Sequence, residues 1–150
     1  MGSFVFNGAK GKVAYYAGLP ATNDALVVVL LQAAEADDTL NNYTDLATLI
    51  AAAGNTEATF TNYTRLDPAN VVVTVDNTAN TVKVTFDPLT YTNAGGAINN
   101  SVVKLLVCYD NDTTGGTDSN IIPLTAHDAP FTTDGTTQTI NCPAGGFFAA

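Results

Sequence analysis

Two short runs of alternating residues constrain this chain more than anything else in it. Val71, Val73 and Val75 alternate with Val72, Thr74 and Asp76. After a polar turn at 76–80, Val82, Val84 and Phe86 alternate with Lys83 and Thr85. A period of two belongs to a strand with one face toward a core. Two such runs joined by a polar turn predict a β-hairpin. Pro68 and Pro88 stand at its outer ends, where a missing N–H does least harm. A helix cannot satisfy this period, so part of the core must be built from sheet.

The rest of the chain extends that reading. Residues 25–31 and 102–109 are nearly continuous apolar runs. Runs of that length predict strands covered on both faces, and therefore central ones. The opening segment, 4–17, reads as a strand, a turn around Gly8 and Gly11, and a second strand at 13–16. Glu35, Asp37 and Asp38 read as an exposed acidic loop. One helix is predicted, over 43–53, because Leu46, Leu49, Ile50 and Ala53 fall on one stripe. Asn42 or Thr44 would cap it, with Asp45 in its first turn and Gly54 beyond its end. Segments 121–125 and 136–142 read as further short strands, and 145–148 closes the chain. The expectation is one mostly β domain over 1–150: a β-sandwich or open barrel of about eight short antiparallel strands with one inserted helix.

Composition narrows the function classes. A chain of 150 residues can bury a sizeable core without disulfides or metals. Only 13% of residues are charged, so the surface must be built from Thr, Asn, Ser and Gly. The net charge is −9, and the basic residues are Lys10, Lys12, Arg65, Lys83 and Lys104. They do not cluster beyond Lys10 and Lys12, which argues against nucleic acid and acidic membrane surfaces as partners. No apolar run reaches transmembrane length, and no secretory leader is expected from the N-terminal residues.

The chemistry-bearing residues are few. His127 is the only histidine, in a segment that reads as a loop, and a thiol at Cys108 or Cys142 could in principle pair with it. Cys108 lies in an apolar run and reads as a core residue. Whether the two cysteines join is left open by their spacing. Two Cys and one His do not make a zinc site. The run from Asp110 through Asp112 to Gly115 echoes the start of a calcium loop, with Asp118 as a further oxygen donor. Ile121 stands where such a loop needs its bidentate Glu, and a solvated turn explains the same residues. Most acidic residues fall in predicted turns, where Asp is required locally. Tyr43, Tyr63, Tyr91 and Tyr109 are candidate platforms for sugars or partners, and equally ordinary strand residues. No catalytic residue and no cofactor are expected.

The order of short motifs carries more. The chain opens Phe4-Val5-Phe6-Asn7-Gly8-Ala9-Lys10-Gly11-Lys12 and continues through Tyr63-Thr64-Arg65, the valine hairpin, and Thr90-Tyr91-Thr92 with Gly95-Gly96. It closes on Asp134-Gly135 and Gly145-Gly146-Phe147-Phe148. Nearly its whole length resembles a group of small structural proteins of tailed bacteriophages. Those proteins share an F-x-x-N-G-A-x-x-K opening, a Y-x-R step and an aromatic end after glycine. The resemblance implies a capsid decoration or cement protein on the outer capsid surface of the virion. Its partner would be the major capsid protein, it would form a homo-oligomer, often a trimer, and it would carry no catalytic residue. Phe4, Phe6, Phe147 and Phe148 are then the expected interface residues, tied into the chain's own sheet or a neighbour's. The alternative is a tail- or head-fibre-associated module that contacts host glycans. A small hydrolase dependent on His127 is the third reading.

Overall fold

The computed structural model describes residues 2–150. It is mostly β and wholly antiparallel in its pairings, as the alternation predicts. The strands are β1 (Phe4–Val5), β2 (Ala25–Ala33), β3 (Thr56–Glu57), β4 (Val72–Asp76), β5 (Thr81–Thr85), β6 (Leu89–Tyr91), β7 (Ser101–Asp110), β8 (Ile122–Thr132), β9 (Gln138–Ile140) and β10 (Phe148–Ala149). The helices are α1 (Val13–Ala17), α2 (Asp37–Leu40) and α3 (Leu46–Ala51).

The main sheet has the order β1-β8-β7-β2-β3. Its centre is the two apolar runs. β2 pairs with β7 from Ala25↔Asp110 to Leu31↔Lys104, and Leu26 through Leu31 are all buried. A central strand has neighbours on both sides and cover on both faces, so it needs no polar alternation. β8 is much longer than the short strand expected at 121–125. It follows β7 through two register shifts, and Pro123 sits at one of them, where its missing N–H does not break the ladder. A second sheet runs β10-β5-β4, and β6 pairs with β9. The valine hairpin forms in the expected register, Val73 opposite Val84 and Val75 opposite Val82. The Asp76 carboxylate accepts from the N–H groups of Thr78 and Ala79 and so closes its turn. One apolar core, from Phe6 to Phe147, joins the sheets.

Three local expectations need correction. Residues 13–16 are helical, not a strand. The run Val13-Ala14-Tyr15-Tyr16-Ala17 buries Val13 and Ala17, four residues apart, and leaves Tyr15 outside. Five apolar residues are too few to tell one period from the other by pattern. The helix expected over 43–53 is only α3. Asp45 is itself the cap, with its Oδ1 accepting from the Thr48 N–H at 2.8 Å, so neither Asn42 nor Thr44 serves. At the other end Ala52 turns to extended backbone, and the buried Asn55 side chain donates to the Leu49 carbonyl at 3.0 Å, so Gly54 is not the terminator. The acidic loop contains α2, with Asp37 and Asp38 in its first turn, where negative charge suits the helix dipole.

Candidate functional site

Of the residues singled out from the sequence, His127, Cys142, Phe4, Phe147 and Phe148 come together where the two chain ends meet β8 and β5. His127 is not in a loop. It lies within β8, and strand periodicity puts it on the same face as Thr125, whose Oγ1 is 2.9 Å from His127 Nε2. The C-terminal segment brings Phe147 edge-on to the imidazole, with ring centroids 6.3 Å apart, and against Phe86 at 5.0 Å. Gly146 makes that approach possible. Its φ is +88°, and a Cβ there would stand 2.4 Å from the Val84 carbonyl oxygen.

Two hollows of about 180 Å³ each flank Phe147. The first is walled by Phe86, Leu105, His127, Ile140 and Cys142. The second is walled by Phe4, Val5, Thr125, His127 and Phe148. Burial, assisted by the nearby charge of Lys104, pushes the His127 imidazole down to about 4. It is therefore uncharged at neutral pH. Cys142 shares a wall with it, but no hydrogen bond joins the two among the described residues. Cys108 is fully buried in β7, opposite Val27 and Pro123, and burial pushes its thiol up. Both cysteines are free thiols.

The four phenylalanines divide into two pairs. Phe6 and Phe147 are buried in the chain's own core. Phe4 and Phe148 are half-buried, on strands that pair with β8 and β5 respectively. Both chain ends are thus tied into the chain's own sheets. The N-terminal tie is reinforced by Lys104, which the sequence reading did not select. Its side chain is fully buried. Its Nζ donates to Asp128 Oδ1 at 2.6 Å and to the Gly2 carbonyl at 3.0 Å, and lies 5.4 Å from the centre of the Phe4 ring. Asp37 Oδ1 is 3.0 Å away but is not aligned for a hydrogen bond, so that contact is electrostatic. Asp37 Oδ2 accepts from the Gly2 N–H at 2.8 Å.

The calcium candidates do not converge. Asp110 accepts from the Asp112 N–H, and Asp112 accepts from Thr114 and Gly115, closing their own turn. Asp118 is held by Arg65, Nη1 to Oδ1 at 2.6 Å and Nη2 to Oδ2 at 2.9 Å. Among the described residues no three His, Cys, Asp or Glu side chains gather into a group that could hold a metal ion. Arg65 also makes a two-point contact with Glu57, at 2.8 Å for each bond, and Tyr63 donates to the same carboxylate at 2.8 Å. This knot ties the loop after β3 to the loop before β8. The Arg65 side chain is only 26% exposed, and bonds to charged groups at such a site are among the stronger ones. Arg65→Ala is expected to lower stability by about 2 kcal/mol after discounting for the partly solvated carboxylates. Arg65→Lys should recover less than half, because an ammonium cannot match two carboxylates in a planar fork. Urea unfolding of the three proteins checks this.

The tyrosine platforms are committed inward. Tyr43 donates to Glu35, Tyr63 to Glu57 and Tyr109 to Asp24, while Tyr91 is buried and stacks on Tyr63. Among the described residues, the large apolar side chains left exposed are Tyr15, Ile98 and two valines of the hairpin, Val72 at 49% and Val75 at 64%. Alternation places Val75 on the same face as the half-buried Val73 and the buried Val84, yet at the hairpin's tip it stays largely in solvent. No described helix is long and apolar enough to cross a membrane. No protein-family model, curated protein or solved structure matches this chain.

Proposed function

We propose that this chain is a structural virion protein: a capsid decoration or cement protein that binds the outer surface of a phage head and stabilises its major capsid protein subunits. It works by binding and assembly rather than by catalysis, without a cofactor, as a homo-oligomer.

The observation that carries this reading is the character of the surface. It is poor in charge, and its exposed apolar residues include two valines of one projecting β-hairpin. A surface of neutral hydroxyls and amides with an exposed strand pair suits broad contacts made of many weak interactions. The resemblance of its ordered motifs to those of phage structural proteins supports a phage head as the lattice. The site chemistry is in keeping with it. The single imidazole is uncharged, bonded to Thr125 and packed against Phe147. The glycan-binding alternative draws no support from the tyrosines proposed for it, since all four are engaged inside the chain.

The test is the copy number of this chain per purified virus particle, measured by quantitative mass spectrometry against the major shell protein. A ratio near one, or a simple fraction of it, is the expected result. A few copies per particle would move the protein to a tail or a vertex. Absence from the particle would overturn the virion reading.

A further inference from the structure

The free edge of the hairpin has a hydrogen-bonding phase that can be worked out. On its inner side β5 is bonded to the C-terminal segment through Val82 and Val84. The Val82 N–H donates to the Ala150 carbonyl at 2.7 Å, the Ala150 N–H donates to the Val82 carbonyl at 2.9 Å, and the Phe147 N–H donates to the Val84 carbonyl at 3.0 Å. In an antiparallel sheet successive residues of a strand turn their backbone groups to opposite neighbours. The bonds from β5 to β4 therefore run through Thr81, Lys83 and Thr85, to Asp76, Thr74 and Val72. That leaves the N–H and C=O of Val73 and Val75 pointing off the edge of the sheet.

Open edges are normally guarded by lysine, proline, a bulge or a covering element. β4 holds no lysine, proline or bulge, and the helix that approaches it, α1, touches β5 as well and so lies over the face of the hairpin rather than along its free edge. The pairing of β4 with β5 is unbroken, the sequence of β4 is Val-Val-Thr-Val-Asp, and its one charge, Asp76, is at the end. From these observations we infer that β4 is a self-pairing surface, and that two copies of this chain join edge to edge through it around a two-fold axis at Thr74.

The register supports that occupant. With the axis at Thr74, Val73 of one copy faces Val75 of the other, and these are the residues whose backbone groups are free. The two pairs supply four N–H···O=C bonds. Thr74 faces Thr74, and Val72 faces Asp76, so no like charges oppose. The two three-stranded sheets become one of six. Charge favours the same place. Copies of a chain with net charge −9 repel each other. Residues 71–86 hold one acid, Asp76, and one base, Lys83, so the hairpin itself is neutral. A contact that closes on itself in this way is the commonest oligomer geometry. A threefold ring would instead need β4 to meet a different surface of its neighbour. The inference does not depend on the virion reading, because it concerns the isolated chain.

The test is the mass of the purified full chain in solution, by sedimentation over a wide concentration range. The variants are Val75→Lys and, as a control for general stickiness, Ile98→Lys. Both positions are more than half exposed, so both variants should melt like the parent. The parent is expected to dimerise. Val75→Lys places two cations at the centre of the contact and should weaken the dimer by about 100-fold or more. Ile98→Lys should leave it unchanged. Amide exchange at Val73 and Val75 should slow in the parent as the dimer forms. A parent that stays monomeric, a parent that forms trimers, or a dimer that survives Val75→Lys would each overturn the inference. The particle copy number is read separately, so failure of either proposal leaves the other standing.

Discussion

Lys104→Ala is expected to destabilise the fold by about 3 kcal/mol. The lysine sits in the central strand of the main sheet with its side chain fully buried. Substitution removes two things. The aliphatic stem leaves a cavity on the face it shares with Leu31, and Asp37 and Asp128 lose the cation they face. Removing one partner of a buried pair costs more than the pair ever contributed, because the remaining charge is left uncompensated. The two carboxylates are partly solvated, at 26% and 36% exposure, which keeps the loss below that of a fully enclosed pair. Lys104→Met separates the two causes. It keeps most of the volume and removes only the charge, so it should cost about half as much.

A pH series supplies a second readout of the same group. Burial alone would push the Asp37 carboxyl up, but the Gly2 N–H and Lys104 together hold it below the ordinary carboxylate value. A group whose folded value lies below its unfolded value stabilises the fold above the unfolded value. That contribution is lost as pH falls through the folded one. Unfolding free energy of the parent should therefore fall below about pH 4. The Lys104→Met protein should show a shallower fall in that range. Equal slopes in the two proteins would mean that Asp37 draws its stabilisation from Gly2 alone.

Lys104 also shows what a sequence can and cannot disclose. A lone lysine inside the run 102–109 was visible. Its partners lie on α2 and on the adjacent strand β8, and only the folded sheet order brings them together. The hairpin and the two central strands were legible because their apolar pattern extends over enough residues to have a period. Helix α1 was not, since five residues do not define one. Val75 marks a different limit. Alternation assigns a residue to a face, but it does not say whether anything covers that face. The Arg65 knot was invisible for the reason that applies to Lys104: its two carboxylates, Glu57 in β3 and Asp118 just before β8, are far apart in the chain. Of the candidate site, the aromatic ends were legible as segments needing a tie. Their meeting around His127 followed only from the pairing of β1 with β8 and β10 with β5.

Deleting residues 146–150 is expected to cost about 3–5 kcal/mol, the range for removing a buried aromatic ring. The segment contributes Phe147, which is 6% exposed and packed on Phe86. It also closes the inner edge of β5 through Val82 and Val84. The loss should appear as a lower melting temperature of the isolated chain. Phe148→Ala, at a half-buried position, should cost much less. His127 reports the same event independently. Its folded value near 4 lies below the ordinary 6.5, so the folded state binds fewer protons between those limits. Stability from this group is complete above about 6.5 and is lost as pH falls toward 4. Without Phe147 the imidazole regains water, its titration by NMR should move back toward 6.5, and this part of the acid slope should flatten. An unchanged melting temperature together with lost assembly would give the opposite result. The segment would then act on a neighbour, and its docking onto β5 would contribute nothing to the isolated chain.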